Sequence, residues 1–410
     1  MSGARSGRGW RTPAVILAAG AATLAISLGI RHAFGLFLAP MTRDHGWTRE
    51  VFAFAMALQN LAWGAAQPFA GRLADRHGAG KLVLGGSALY AAGLLLMAGA
   101  RSGSALALSA GLLVGLGLSG TSFPVVFGAI ARSTPPERRS LAMGVAMSVG
   151  SLGQFAMLPG ALSAIEAFGW AGTLVALAAL GVAMAPLSAA LFETPATGAS
   201  RRAPLGLRGV LAEALAHRGF WLLAFGFFVC GFHVAFIATH LPAFLADRGL
   251  GARTGAIVLA LVGLFNIAGS YLAGVLGGRL SKPSLLVGIY GLRAAVIGVF
   301  FLLPVTEGTA YAFGAAMGFL WLSTVPLTNG TVAVVFGVEN MAMLGGVVFF
   351  FHQVGAFLGG WLGGRLFVAT GSYDLVWWLS IALALLAALL NVPVREVPVA
   401  RVRAAPEGAA

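Results

Sequence analysis

The sequence is poor in charge. Of its 410 residues only 10% are Asp, Glu, Lys or Arg, and just 13 are acidic. A soluble domain carries about 25% charged residues, so water is not the solvent for most of this chain. Cysteine occurs once, at Cys230, which excludes an internal disulfide and any cysteine-based metal cluster. Motifs for covalent catalysis or phosphate binding are also missing: no Walker loop, no G-x-S-x-G, no metal-spaced His/Cys cluster. We therefore expect no enzyme, no metal and no cofactor. A cleavable leader is not expected either. Residues 1–11 are short and basic, but the apolar run behind them lacks an evident cleavage site and is long enough to be a helix.

What the chain has instead is apolar length. It is 59% hydrophobic, holds 59 glycines and has a mean hydropathy of +0.89. Stretches beyond the ~20 residues needed to cross a bilayer recur throughout. Twelve spans are legible, at 13–40, 50–71, 82–100, 104–131, 140–165, 168–191, 219–246, 253–278, 283–304, 309–336, 341–368 and 373–394. Lipid satisfies no backbone polar group, so each span is a helix; a barrel would need ~10-residue alternating strands. The longest connection, 192–218, separates six spans from six. The expected organisation is a six-helix bundle over 1–191, a linker over 192–218 and a second bundle over 219–410 with its tail.

The net charge of +13 would point to nucleic acid in a soluble protein. Here it reads as topology. Eighteen Lys and Arg fall on the side of the N-terminus and six on the other, which predicts that both termini are cytoplasmic. Small residues recur at helix-contact spacing: Gly355, Gly359 and Gly363; Gly111 and Gly115; Ser270, Gly274 and Gly278.

Two bases, Arg31 and Arg293, lie inside spans, and no acid lies deep in any span to pair with them. Such groups usually face a cavity or a partner. Arg31 is read as a bidentate clamp for a substrate carboxylate, or as an arginine snorkelling to the outer interface. Arg293, near mid-depth, is read as a substrate contact or a structural bridge. His233 and His240 in the seventh span, and His352 and Gln353 in the eleventh, join the set, since histidine carries protons where no buried carboxylate exists. Asn266, Asn329, Gln59 and Asn60 are read as ligands or as glue between helices.

The most specific stretch is Gly71-Arg72-Leu73-Ala74-Asp75-Arg76-His77-Gly78-Ala79-Gly80-Lys81, expected to be a tight polar turn between spans two and three. Gly278-Arg279-Leu280-Ser281-Lys282 echoes it about half a chain later, as expected of two related halves. This stretch resembles the signature between helices 2 and 3 of the major facilitator superfamily. The resemblance implies two six-helix bundles and a conformational gate built on Gly71, Asp75, Arg76, Gly78 and Lys81, with Arg132 at the end of span four as a basic partner of Asp75. It also implies that span nine is peripheral. Glu137-Arg138-Arg139-Ser140-Leu141-Ala142-Met143-Gly144 is similar to the R-R-x-L-A-x-G signature of the monocarboxylate transporter branch and its bacterial relatives. So are Phe34 to Arg49, Leu264 to Ser270, Trp321 to Thr328 and His352 to Gly359. One departure stands out: span eight has Asn266 and Tyr271 where that branch commonly has a central arginine.

The expected function is secondary transport of a small organic anion, a carboxylate moved with protons by alternating access. The expected setting is a monomer in the cytoplasmic (inner) membrane that binds no nucleic acid. The alternative is proton-antiport efflux of drugs or metabolites. Against it, the segment from Gly144 to Gln154 lacks the Gly-Pro pattern of efflux members.

Overall fold

A computed structural model describes residues 10–192 and 207–399. Thr12 starts the first helix by accepting the Val15 amide on its hydroxyl, and Pro13 follows where a missing N–H leaves no bond unmade. That helix is α1 (Pro13–His45). Next come α2 (Arg49–His77), α3 (Ala79–Ala98) and α4 (Gly103–Ser133). The helical stretch Arg139–Val182 is two elements, α5 (139–168) and α6 (170–182), because Gly169 leaves the helical region at φ 71°, ψ 170°. The second half comprises α7 (Arg218–Asp247), α8 (Ala252–Gly277), α9 (Lys282–Leu302), α10 (Glu307–Phe336), α11 (Met341–Thr370) and α12 (Asp374–Asn391).

Among the described residues, ten helical segments are long and apolar enough to cross a membrane. One of them, Pro136–Leu191, turns at Gly169 and supplies two passes. α2 falls short on hydropathy because Gln59, Asn60, Gln67 and Pro68 sit in its middle. Together they make the twelve-helix fold. Part of the expected linker, 193–206, lies outside the described residues, as do the basic residues Arg5, Arg8, Arg201, Arg202, Arg401 and Arg403. The described part of the linker contains a short helix, Leu207–Ala216, that buries Val210 and Ala214.

Within the first group α1 packs on α5, and α3 on α4 and α6; within the second α7 packs on α11, α8 on α10 and α9 on α12. The glycines of α11 serve the α7 contact: Gly355 and Gly359 lie against the backbone carbonyls of Phe228 and Phe232. Two seams join the groups, α2 with α11 and α5 with α8. In lipid no hydrophobic force draws helices together, so backbones must come close. A Cβ on Gly144 of α5 would sit 2.5 Å from the Gly274 Cα of α8. A Cβ on Gly71 of α2 would overlap the Ala342 carbonyl of α11.

That last contact changes the reading of the Gly71–Lys81 stretch. It is not an extended turn. α2 stays helical through His77, and a single residue, Gly78 at φ 90°, makes the reversal into α3. Gly71 is needed for close approach rather than for turning.

Candidate functional site

The α2/α11 seam runs along one face of α2, through Asn60, Gly64, Gln67 and Gly71 to Asp75, at helical spacing. At its inner limit, level with Asn60, three helices meet in a polar line. Arg31 of α1 is half-buried and donates from Nη2 to Asn60 Oδ1 at 2.8 Å. Its Nε is buried without a partner. The Asn60 carbonyl accepts a bond from Gln353 Nε2 of α11 at 3.2 Å, across the seam. Gln353 Oε1 in turn lies 3.2 Å from His352 Nδ1. So the structure brings Arg31, Gln353 and His352 together, with Asn60 between them.

The α5/α8 seam ends at a matching set of bonds, where Ser148 Oγ donates to the Ile267 carbonyl at 2.8 Å and Asn266 Nδ2 donates to Ser151 Oγ at 2.9 Å. Nearer the chain ends the two bundles are also bonded by Arg72, Asp75 and Arg132 to residues 338–343.

Beneath the polar line sits an aromatic plate that the sequence reading missed. Trp63 of α2 and Phe123 of α4 both pack on Phe349 of α11, with ring centroids 4.8 and 4.9 Å away. Trp63 Nε1 donates to Gln67 Oε1 at 3.0 Å and to Ser122 Oγ at 3.1 Å, while Gln67 Nε2 donates to the Ser119 carbonyl at 3.0 Å. α4 is broken here. Ser122 is extended, and the helix restarts at Phe123 with Pro124 in its first turn. Ser122-Phe123-Pro124 inside an apolar span was the available signal.

The remaining predicted residues are spent elsewhere. Asn266 is fully buried; besides Ser151 it accepts from the Leu322 amide at 3.0 Å and from Ser270 Oγ at 3.2 Å. Leu322 lies where α10 breaks, between Leu320 and Thr324. Arg293 is fully buried too, and its Nε and Nη2 donate to the carbonyls of Leu320 and Trp321 at the same break. His233 bonds the Ser380 carbonyl of α12 at 2.9 Å, and His240 bonds the Gly360 carbonyl at 2.8 Å and Tyr373 Oη at 3.3 Å. None of these four shares the Arg31 line.

At the end near the termini, Asp75 is almost fully enclosed. Its Oδ1 accepts from Arg132 Nη1 at 2.7 Å, and its two oxygens accept the amides of Ala342 and Met343 at 3.3 and 2.8 Å, at the start of α11. A carboxylate at a helix N-terminus is favoured by the helix dipole. Arg132 also reaches the Val338 carbonyl, and Arg72 reaches Asn340 Oδ1. Arg76 and Lys81 are exposed. In the half-length echo, Lys282 pairs with Glu396 of the tail at 2.8 Å.

The sequence profile of the Major Facilitator Superfamily matches residues 15–360. The chain belongs to this superfamily. It is similar to monocarboxylate transporter 11 of Homo sapiens, 28% identical over 92% of this chain and 81% of that one. It is also similar to YcxA of Bacillus subtilis, an uncharacterized MFS-type transporter, 25% identical over 84% of this chain and 86% of that one. Among solved structures it shares the fold of FucP in its outward conformation, an MFS transporter, with a TM-score of 0.73 at 14% identity, covering 92% of this chain and 98% of that one. As a superfamily member the chain is a multi-pass membrane transporter of small molecules.

Proposed function

We propose that the chain moves a small organic anion, a carboxylate, together with protons, by alternating access between the two bundles, as a monomer in the cytoplasmic membrane with both termini cytoplasmic. The observation that carries this reading is Arg31. Its guanidinium sits beside the α2/α11 seam, keeps Nε unpartnered, and donates to one neutral amide, that of Asn60. An uncompensated cation at that depth is costly, and a carboxylate is the ligand that a guanidinium fork fits best. The relation to monocarboxylate transporters supports the same class. Asp75, Arg132 and the start of α11 act in this reading as the cytoplasmic latch, with Gly71 and Gly78 permitting its geometry and Arg76 and Lys81 around it. Gln353 and His352 complete the substrate level, while Arg293, Asn266, His233 and His240 support the second bundle.

The test is uptake of labelled organic acids by proteoliposomes, with and without an inward proton gradient. Accumulation of a monocarboxylate that rises with the gradient is the expected result. Transport confined to neutral or cationic solutes would reject it.

A further inference from the structure

Three histidines stand inside the second bundle, and their hydrogen bonds separate them. His240 uses both ring nitrogens, one on the Gly360 carbonyl and one on Tyr373 Oη. His233 has a free Nδ1, but it is fully buried against α12, with no bonded route to the substrate level. His352 differs from both. It is 7% exposed, and Nε2 is buried and bonds no oxygen or nitrogen, with the Cys230 thiol beside the ring.

The tautomer of His352 follows from its neighbours. Gln353 Nε2 lies on the Asn60 carbonyl, which can only accept, so this atom is the amide nitrogen and Oε1 is the oxygen. Oε1 can only accept, so His352 Nδ1 carries the proton. Nε2 then carries no proton. The bonds converge on Asn60 from both sides: Arg31 Nη2–H to its Oδ1 from α1, and Gln353 Nε2–H to its carbonyl from α11, with His352 Nδ1–H to Gln353 Oε1 behind it.

We propose that His352 Nε2 is the proton-carrying site of transport, coupled to the anion on Arg31 through Asn60 and Gln353. This rests on the anion-transport reading and names its proton site. Uptake forms an N–H bond at Nε2 and breaks an O–H bond of hydronium; nothing is oxidised or reduced. The groups facing the ring set the coupling. From α11 itself Phe349 stacks on it, and from α7 Phe227 lies at 4.8 Å with the Cys230 thiol beside it. Thr324 of α10 bonds that thiol at 3.2 Å, and Arg293 of α9 donates to the Trp321 carbonyl that Cys230 also approaches. Arg31 is reached along the chain of bonds. No acid among the described residues lies at this depth. With the site empty, a proton on Nε2 would add to the charges of Arg31 and Arg293 and find no carboxylate to balance it. An anion seated on Arg31 supplies the counter-charge and admits the proton, and by linkage the proton strengthens anion binding.

The full chain in liposomes tests this with labelled lactate as the probe. For one proton per anion, a one-unit pH gradient supports about a tenfold accumulation. H352Q is expected to lose that accumulation, and any lactate exchange that remains no longer varies with pH. H352Q that accumulates lactate as the parent does overturns the proposal. A parent that carries no lactate rejects the anion reading. The histidine is then decided without substrate, by nitrogen-15 spectra of histidine-labelled protein. The His352 ring is identified among the seven histidines by its absence in H352Q. An Nδ1–H tautomer supports the site. An Nε2–H tautomer overturns it.

Discussion

Asp75 and Arg132 meet at 2.7 Å on the inner faces of α2 and α4, with the Asp75 side chain 1% exposed and the Arg132 side chain 17% exposed. The same carboxylate receives the Met343 amide of the opposite bundle. One buried charge thus ties both bundles together on the side of the termini.

Asp75→Asn removes the charge and leaves the side chain's shape. Charge-assisted bonds are worth ~1.5–3 kcal/mol each, so losing one shifts the closed-to-open ratio about ten- to hundred-fold. We expect slower turnover in a folded protein. A cysteine placed at Ser140, in a background where Cys230 is replaced by serine, should label faster from the terminal side. Unchanged labelling together with normal transport would reject the latch.

Gly71→Val should prevent the same closure by sterics instead of charge. Any Cβ there overlaps the Ala342 carbonyl, and backbone cannot move aside as a flexible side chain can. Expression should persist while transport falls to background, with the Ser140 position again open to reagent. Wild-type transport rates would mean that the seam opens on that side without cost.

Arg31→Gln should weaken substrate binding by ~1.5–3 kcal/mol, about ten- to hundred-fold, without loss of expression. Lysine at 31 keeps the charge and loses the fork, so it should rescue in part. Substrate-induced thermal shift measures both. Parent-like affinity in Arg31→Gln would make Arg31 an interface anchor.

Arg293→Gln should act on the fold instead. Its guanidinium satisfies the free carbonyls of Leu320 and Trp321 at the α10 break, and a buried carbonyl left unmet costs about 1–3 kcal/mol. Folded yield and thermal midpoint should drop, with substrate affinity in the surviving fraction within about twofold of the parent, the bare charge-screening expectation for a group off the substrate level. A large affinity loss at normal yield would return Arg293 to the binding site.

The asymmetry of bases predicts that a reporter fused after Ala410 is cytoplasmic. A reporter active on the outer side would invert the assignment of the latch to the cytoplasmic face.

The sequence by itself determined the twelve helices, because hydropathy and the satisfaction of backbone groups in lipid act along one segment at a time. It also located the gate stretch, since glycines, acid and bases are neighbours there, and it singled out Arg31 as a cation without a local acid. What it left open were the pairings. Helical period tells which residues share a face, but the partner depends on the rotation and register of another helix hundreds of residues away. Asn60 meets Gln353 across 293 positions, Asp75 meets Met343 across 268, and Asn266 turns to Ser151 and the α10 break. Trp63, Phe123 and Phe349 lie on three different helices, and only their packing brings the rings into one plate. Which polar groups are consumed and which are left bare, as at Arg31 Nε and His352 Nε2, is a property of packing, and only the tertiary structure decided it.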